Sequence, residues 1–227
     1  MRHLKLFESF NKEDIHKICK KYNIHNYTIN ENGSIDVDGC VSLSGLKISV
    51  LPLKFNKVSR GFYCSENLLT SLEGSPENVG GDFDCSINKL TSLVGSPKNT
   101  GGDFNCSHNL LTSLKGCSEN VGRNFYCSNN QLSTLEGMPK KINNLFCNSN
   151  QIVTFEGFPK QISGHFYCIN NPIFNMWNLF NDYTKIELFN DMEIIVQNGT
   201  IVLERLNYFL EEIWKQPVGF VKGYKCI

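Results

Sequence analysis

The chain lacks a net charge, because its 22 Lys and Arg residues balance its 22 Asp and Glu residues. This balance, with no cluster of Lys or Arg on any predicted face, argues against a general electrostatic partner such as nucleic acid or a membrane surface. The sequence also lacks an apolar run long enough to span a bilayer. Its first residues, Met1 to Phe10, have neither the continuous apolar core nor the small-residue cleavage site of a secretion signal. These absences predict a cytoplasmic protein.

Motifs of enzyme and metal chemistry are missing as well. The sequence has no Ser-His-Asp order, no glycine-rich phosphate loop and no paired-acid signature, and no Cys-x-x-Cys pair suggests a structural zinc site. Cys106 and His108 are close in sequence, but one is expected to point inward and the other outward. His16 and Cys19 share one face of a predicted helix, where a packed imidazole is the simpler interpretation. The sequence therefore predicts a protein that is not an enzyme and binds no cofactor.

What the chain does contain is one unit written six times between Val58 and Asn171. The clearest copy, FYCSENLLTSLEGSPENVGGD, begins at Phe62, and the next, FDCSINKLTSLVGSPKNTGGD, begins 21 residues later at Phe83. A repeat of this length with apolar residues at fixed positions indicates a solenoid, in which each unit buries its inner face against its neighbours. The periodic cysteines are Cys64, Cys85, Cys106, Cys127, Cys147 and Cys168.

Each part of the shared frame has a physical role. The alternation in Phe-x-Cys predicts a short strand with Phe and Cys pointing inward, and the strands of successive units are expected to stack in parallel. An Asn follows each strand, where its amide can bond the backbone of adjacent turns. Leucines then fill the core, and Gly and Pro mark a tight return that has no room for a helix. The asparagines are Asn67, Asn88, Asn109, Asn130, Asn150 and Asn171.

The frame F-x-C-x-x-N-x-L-x-x-L resembles the leucine-rich repeat, with Phe and Cys in positions usually held by Leu. Units of about 20 to 22 residues are most similar to the short bacterial subtype found in secreted effectors, although Leu-Glu-Gly-x-Pro here replaces its Leu-Pro turn. The resemblance implies an α/β-type solenoid dominated by short parallel strands. It would be a right-handed superhelix with a non-helical convex side and a concave strand side that binds partners. The Asn-rich, Lys-rich composition also resembles that of phage or AT-rich bacterial proteins.

The repeat and its flanks predict three regions. A degenerate first unit, with Val41 one period before Phe62, extends the repeat to residues 38–171 and brings the number of units to seven. Residues 1–37 are expected to form an N-terminal cap and residues 172–227 a C-terminal cap, because the end units would otherwise expose their core and strand edges.

Elements of both caps are indicated by the sequence. In the N-terminal cap, Asn11 begins an amphipathic helix that ends near Lys21, and a hairpin follows around Glu31-Asn32-Gly33. In the C-terminal cap we expect short helices over residues 173–180 and 185–190, a hairpin around Gln197-Asn198-Gly199, and a helix over residues 203–214 that Pro217 stops. The apolar stripe of this last helix is interpreted as core, with a partner or dimer surface as the alternative.

The ten cysteines are interpreted as reduced thiols. The six periodic ones occupy equivalent inward positions on successive parallel strands, where a free Cys behaves as a small hydrophobic residue. A disulfide framework would be expected in an exported protein, whereas thiols stay reduced in the cytosol.

Binding is expected on the solvent side of the strands, where side chains are free of the packing constraint. The residue between Phe and Cys and the residue two positions earlier give two rows of candidates. The candidate binding residues in these rows are Tyr63, Asp82, Asp84, Asp103, Asn105, Tyr126, Phe146, His165 and Tyr167.

Two groups stand out among these candidates. Tyr126, Phe146 and Tyr167 would lie on consecutive strands, either as a protein-contact strip or as cross-strand stacking that only stabilises the sheet. The carboxylates at positions 82, 84 and 103 would lie on two adjacent units. They could bind a hard cation or a basic partner, or could form a solvated acidic face.

These observations favour a non-enzymatic intracellular scaffold that binds a partner protein through the strand side of a solenoid, as a monomer or weak homo-oligomer. One alternative is a structural or virion-associated protein that assembles with itself. Another is a secreted bacterial effector without a catalytic domain, which would act in a host-cell cytoplasm.

Overall fold

The computed structural model describes residues 11–196 and 200–227. Two sequence predictions fall outside these residues: the lack of a secretion signal in Met1 to Phe10, and the turn Gln197-Asn198-Gly199. No helix in the described part combines the length and the apolar character needed to cross a bilayer.

Short strands dominate the described chain. The N-terminal elements are α1 (Lys12–Lys21), β1 (Tyr27–Ile29) and β2 (Ile35–Val37). The repeat contains β3 (Val41–Ser42), β4 (Phe55–Val58), β5 (Phe62–Tyr63), β6 (Asn78–Val79), β7 (Phe83–Asp84), β8 (Asn99–Thr100), β9 (Phe104–Asn105), β10 (Asn120–Val121), β11 (Phe125–Tyr126), β12 (Lys141–Ile142), β13 (Leu145–Phe146), β14 (Gln161–Ile162) and β15 (Phe166–Tyr167). The C-terminal elements are α2 (Ile173–Phe180), a 3₁₀ helix (Tyr183–Lys185), α3 (Ile186–Asp191), β16 (Ile195–Val196), β17 (Thr200–Ile201), α4 (Leu203–Glu212) and β18 (Lys225–Cys226).

Seven parallel strands form the first sheet, in the order β15-β13-β11-β9-β7-β5-β3. Each Phe-x-Cys segment pairs in register with the next, so that Phe62 lies opposite Phe83 and Phe83 opposite Phe104. Val41 lies opposite Phe62, which is the register predicted for the degenerate first unit. The Phe and Cys side chains are buried, and the residue between them is partly buried or, at Tyr167, exposed. The predicted inward and outward alternation is confirmed, and the stacked parallel strands fit a repeat solenoid.

A second sheet, parallel except for the β1-β2 pair, is formed mainly by the return segments, and the sequence analysis did not predict it. Its order is β1-β2-β4-β6-β8-β10, and β12 pairs with β14 in the same parallel manner. In a typical strand, Val79 is buried and Asn78 is exposed. The expected lack of a helix in the return is correct. Strands of two residues, such as Asn78–Val79, are too short for an alternating pattern to be recognised in the sequence.

The predicted asparagine ladder is present and joins each unit to the one before it. The amide nitrogen of Asn88 donates to the carbonyl oxygens of Cys64 at 3.0 Å and Cys85 at 3.1 Å. Its amide oxygen accepts from the backbone N–H of Leu69 at 2.9 Å. The same three bonds recur at Asn109, Asn130, Asn150 and Asn171. One side chain per unit therefore satisfies three backbone groups at the strand end.

The core is a stack of identical positions. The rings of Phe62, Phe83, Phe104 and Phe125 follow one another at centroid distances of 5.8, 5.4 and 5.1 Å. All ten cysteines have free thiols, and the six periodic ones are buried beside these rings. Burial raises the pKa of the Cys168 thiol to about 12 and also raises the pKa values of the other five thiols. Protonated, buried thiols are poor nucleophiles.

At the N-terminal end, the helix and hairpin predicted from the sequence are present. The Asn11 side chain accepts from the Asp14 N–H at 3.0 Å and caps α1, and Ile15 and Cys19 are buried. Strands β1 and β2 pair antiparallel, and β2 then pairs parallel with β4. The hairpin thus extends the return-side sheet.

At the C-terminal end, an aromatic cluster covers the last units. The ring centroid of Phe155 lies 5.6 Å from that of Phe180 and 5.3 Å from that of Phe189, and the Phe209 ring of α4 packs on both. The Tyr183 hydroxyl accepts from the Phe166 N–H at 3.1 Å, so part of the edge of β15 is already bonded. The apolar stripe of α4 is core, as predicted, although α4 ends at Glu212 and the pairing of β17 with β18 was not predicted.

Candidate functional site

The candidate site is the outer face of the seven-stranded sheet, meaning the solvent side of its strands. The structure brings the residues between Phe and Cys into one row, because each lies opposite its equivalent in the next unit. In order along the sheet, this row is Tyr63, Asp84, Asn105, Tyr126, Phe146 and Tyr167. The first five are half-buried, and Tyr167, on the last strand, is 38% exposed.

Three aromatic rings stack face to face in this row. The centroids of Tyr126 and Phe146 are 4.6 Å apart with the planes 6° from parallel, and those of Phe146 and Tyr167 are 4.7 Å apart at 9°. These distances match the spacing of neighbouring strands. Burial, followed by the charge of Asp103, raises the pKa of Tyr126. The predicted strip therefore exists as one rigid stack, which leaves mainly ring edges facing solvent.

The second row forms another ladder, which the sequence analysis missed. The side-chain oxygen of Asp82 accepts from the Asp103 N–H at 2.9 Å, and that of Asp103 from the Asn124 N–H at 3.0 Å. Asn124 accepts in the same way from Asn144 at 3.2 Å, and Asn144 from His165 at 2.6 Å. The signal that could have revealed this ladder is the recurrence of Asp or Asn at one position of the unit.

Asp84 and Asn105 share a third arrangement. The Oδ1 atom of Asp84 accepts from the Ser86 N–H at 2.9 Å, and that of Asn105 from the Ser107 N–H at 3.1 Å. Each bond closes a small turn just after the strand. One oxygen of each carboxylate in the two rows is thus fixed by a backbone N–H, and the second oxygen of Asp82 accepts from the Tyr63 hydroxyl at the long distance of 3.5 Å.

The two rows contain three carboxylates and neither Lys nor Arg. The ion pairs of the described residues lie elsewhere: Glu13 with Lys17, Glu77 with Lys98, Glu136 with Lys115, and Glu193 with Arg205. Within residues 11–196 and 200–227, no group of three or more His, Cys, Asp or Glu side chains is placed to hold a metal ion.

A row of left-handed backbone conformations borders the outer face. Its members have φ between 53° and 59°: Glu66, Ile87, His108, Asn129, Ser149 and Asn170. Asn adopts this conformation readily, whereas a β-branched residue does so at a cost. Ile87 is therefore the strained member of the row.

Replacing Ile87 with Asn is expected to raise the free energy of unfolding by about 1 kcal/mol, because the strain is relieved. The side chain is 49% exposed, so little burial is lost. Urea unfolding of both proteins measures the difference. Val94→Asn is the matched control, because Val94 is exposed and β-branched but has no positive φ. A gain of the same size in the control, or no gain at Ile87, would contradict the strain.

Comparison of the chain with protein-family models, with curated proteins and with solved structures found no match in any of the three.

Proposed function

We propose that this chain is an intracellular, non-enzymatic scaffold of the leucine-rich-repeat type, a right-handed solenoid that binds a partner protein on a concave outer face. The partner presents basic side chains beside apolar ones. Support comes from two features of the outer face: carboxylates that the fold does not require, and a rigid aromatic stack.

The repeat itself shows which charges the fold requires. In the second row, Asn124 and Asn144 accept the same backbone bond as Asp82 and Asp103. In the first row, the neutral Asn105 closes the same turn as Asp84. Neutral amides thus fulfil both structural roles. Carboxylates on neighbouring strands repel one another by an amount on the order of 1 kcal/mol in water, and this cost is offset when a cationic partner binds.

The geometry of the carboxylates favours such a partner. Backbone bonds fix one oxygen of Asp82, Asp84 and Asp103, so little side-chain entropy is lost when the other oxygen accepts from Lys or Arg. The stacked rings of Tyr126, Phe146 and Tyr167 are equally preorganised. Aromatic side chains held in this way are typical of residues that dominate binding energy.

The combined change Asp82→Asn, Asp84→Asn and Asp103→Asn is expected to weaken partner binding about tenfold or more while leaving the fold intact. The measurement is capture of proteins from a cell extract on the immobilised chain, with identification of what is bound at low and high salt. Glu73→Gln, Glu119→Gln and Glu156→Gln form the matched control, because they remove the same charge from exposed return-side positions. A basic protein retained by the control but lost by the Asn variant supports the proposal, and equal capture by both contradicts it.

The double variant Tyr126→Ala, Tyr167→Ala of this chain tests the aromatic stack. Its affinity for the captured protein is compared with that of the native chain. Affinity should fall while the salt dependence stays that of the native chain, because the carboxylates remain. Unchanged affinity would remove the stack from the site.

The edge of the last strand, β15, argues against end-to-end assembly of the chain with itself. A parallel sheet that continued into a second copy would need the outward N–H groups of β15, and the Phe166 N–H already donates to Tyr183. Light scattering should therefore show no growth of polymers with concentration.

A further inference from the structure

The carboxylates and aromatic rings of the outer face follow a fixed order along the sheet. Two neighbouring units carry carboxylates, and we call them the acidic units. The next three units carry one ring each, and we call them the aromatic units. The residues concerned are Asp82 and Asp84, then Asp103, then Tyr126, Phe146 and Tyr167. Ring centroids in the aromatic units are 4.6 and 4.7 Å apart, so the five units span about 19 Å, which is four strand spacings.

The charges beside the carboxylates confine a partner's cation to the acidic units. Glycine precedes Asp82 and Asp103, whereas Arg60 and Arg123 hold the equivalent positions of the units on either side. Neither arginine takes part in an ion pair of the described residues. The carboxylates attract a cationic side chain, and the arginines repel it from the flanking units.

The aromatic units call for apolar side chains instead. A cation is attracted to the face of an aromatic ring, but Phe146 has a ring stacked on each of its faces, at 6° to Tyr126 and 9° to Tyr167. The stack therefore presents mainly ring edges, which carry the positive part of the ring quadrupole. A matching partner surface has basic side chains at two successive steps and apolar side chains at the next three.

The length of these steps matches an α-helix and not an extended chain. Side chains on one face of a helix recur alternately after three and four residues, and each residue rises 1.5 Å. Five such positions therefore cover about 21 Å, within about 2 Å of the five units. On one face of an extended chain side chains recur about every 6.6 Å, so five positions cover about 26 Å and fall more than one unit out of step.

We propose that the outer face binds one amphipathic α-helix of the partner, laid across the strands, with basic residues over the acidic units and apolar residues over the aromatic units. This inference rests on the proposed function, because it specifies the element by which the partner protein binds. A second copy of this chain does not supply such a helix from its two longest described helices. Both α1 and α4 bury their apolar residues in the chain's own core.

Two synthetic peptides test the helix. The first has about 17 residues, with two Arg followed by three Leu at positions alternately three and four residues apart, and Ala and Gln elsewhere. The second has the same composition, but its Arg and Leu lie at every second residue, so that they share a side only in an extended chain. Fluorescence anisotropy should show the full chain binding the first peptide at least about tenfold more tightly. Equal or tighter binding of the second peptide, or no binding of the first, would overturn the proposal.

Variants of the chain test the order of the contacts. Asp82→Asn with Asp103→Asn should abolish the preference for Arg over Gln at the two basic positions of the peptide. Tyr126→Ala with Tyr167→Ala should abolish the preference for Leu over Ala at the three apolar positions. Each pair of changes should leave the other preference within about twofold, because the two groups of contacts are separate. Loss of both preferences with either pair would contradict the order.

Glu73→Gln with Glu119→Gln is the matched control, because it removes two charges from exposed return-side positions. Both preferences should persist in this control, and their loss would mean that the peptide responds only to total charge. Capture of proteins from a cell extract decides the proposed function separately. Failure of the helical peptide alongside capture of a basic protein would contradict the helix alone.

Discussion

Replacing Asn109 with Ala is expected to lower the free energy of unfolding by about 3 to 5 kcal/mol. The buried amide of Asn109 donates to the carbonyl oxygens of Cys85 and Cys106, both at 3.1 Å, and its oxygen accepts from the Leu90 N–H at 3.0 Å. Alanine leaves these backbone groups without that partner at a site water does not reach. Each buried polar group left unsatisfied costs about 1 to 3 kcal/mol. Urea unfolding followed by circular dichroism measures the loss.

Asn99→Ala is the control for this change. Asn99 also belongs to a row of amides, bonded to Asn78 and Asn120 at 2.8 Å, but the row is exposed and its bonds join side chains only. Water replaces them, so the change should stay within about 0.5 kcal/mol. Similar losses at positions 99 and 109 would mean that the buried ladder is not a main source of stability.

The features that were predictable from the sequence are those in which one residue type recurs in every unit. Phe and Cys at fixed spacing predicted the seven-stranded sheet and its register, and the recurring Asn predicted the buried ladder. The return-side sheet was not predictable, because Asn78–Val79 and its equivalents are too short to show alternation. The second ladder was missed because its first two acceptors are Asp and its next two are Asn, which share an oxygen acceptor but differ in charge.

The candidate site was predictable in place but not in detail. Alternation put Tyr126, Phe146 and Tyr167 on one face, and the structure adds that they form a single parallel stack. The structural role of Asp82 was missed although Asp or Asn recurs at its position; the bond that it accepts comes from a backbone group one unit away. Equivalent positions in different units can be compared with one another. Where one unit has a charged residue and another has a neutral residue that makes the same bond, the charge is not needed for the fold and is informative about function.

The same internal comparison applies to the glycines of the return. Gly157→Ala is expected to lower the free energy of unfolding by about 3 kcal/mol, the sum of a positive φ and an overpacked contact. Gly157 has φ of 77°, and an added methyl group would overlap the backbone of Leu135 and Glu136 in the preceding unit. Backbone cannot move aside as a flexible side chain can, so the units must separate. Thermal and urea unfolding both report the change.

Gly33→Ala isolates the contact from the conformation. Gly33 has the same φ of 77°, but a methyl group there would meet no atom within 4 Å. In this control only the backbone conformation lowers the free energy of unfolding, by about 1 kcal/mol. The difference of about 2 kcal/mol between the two variants measures how closely successive units approach one another. Equal losses would show that the return segments are not in close contact, and the stacking of units would then rest on the Phe and Asn rows alone.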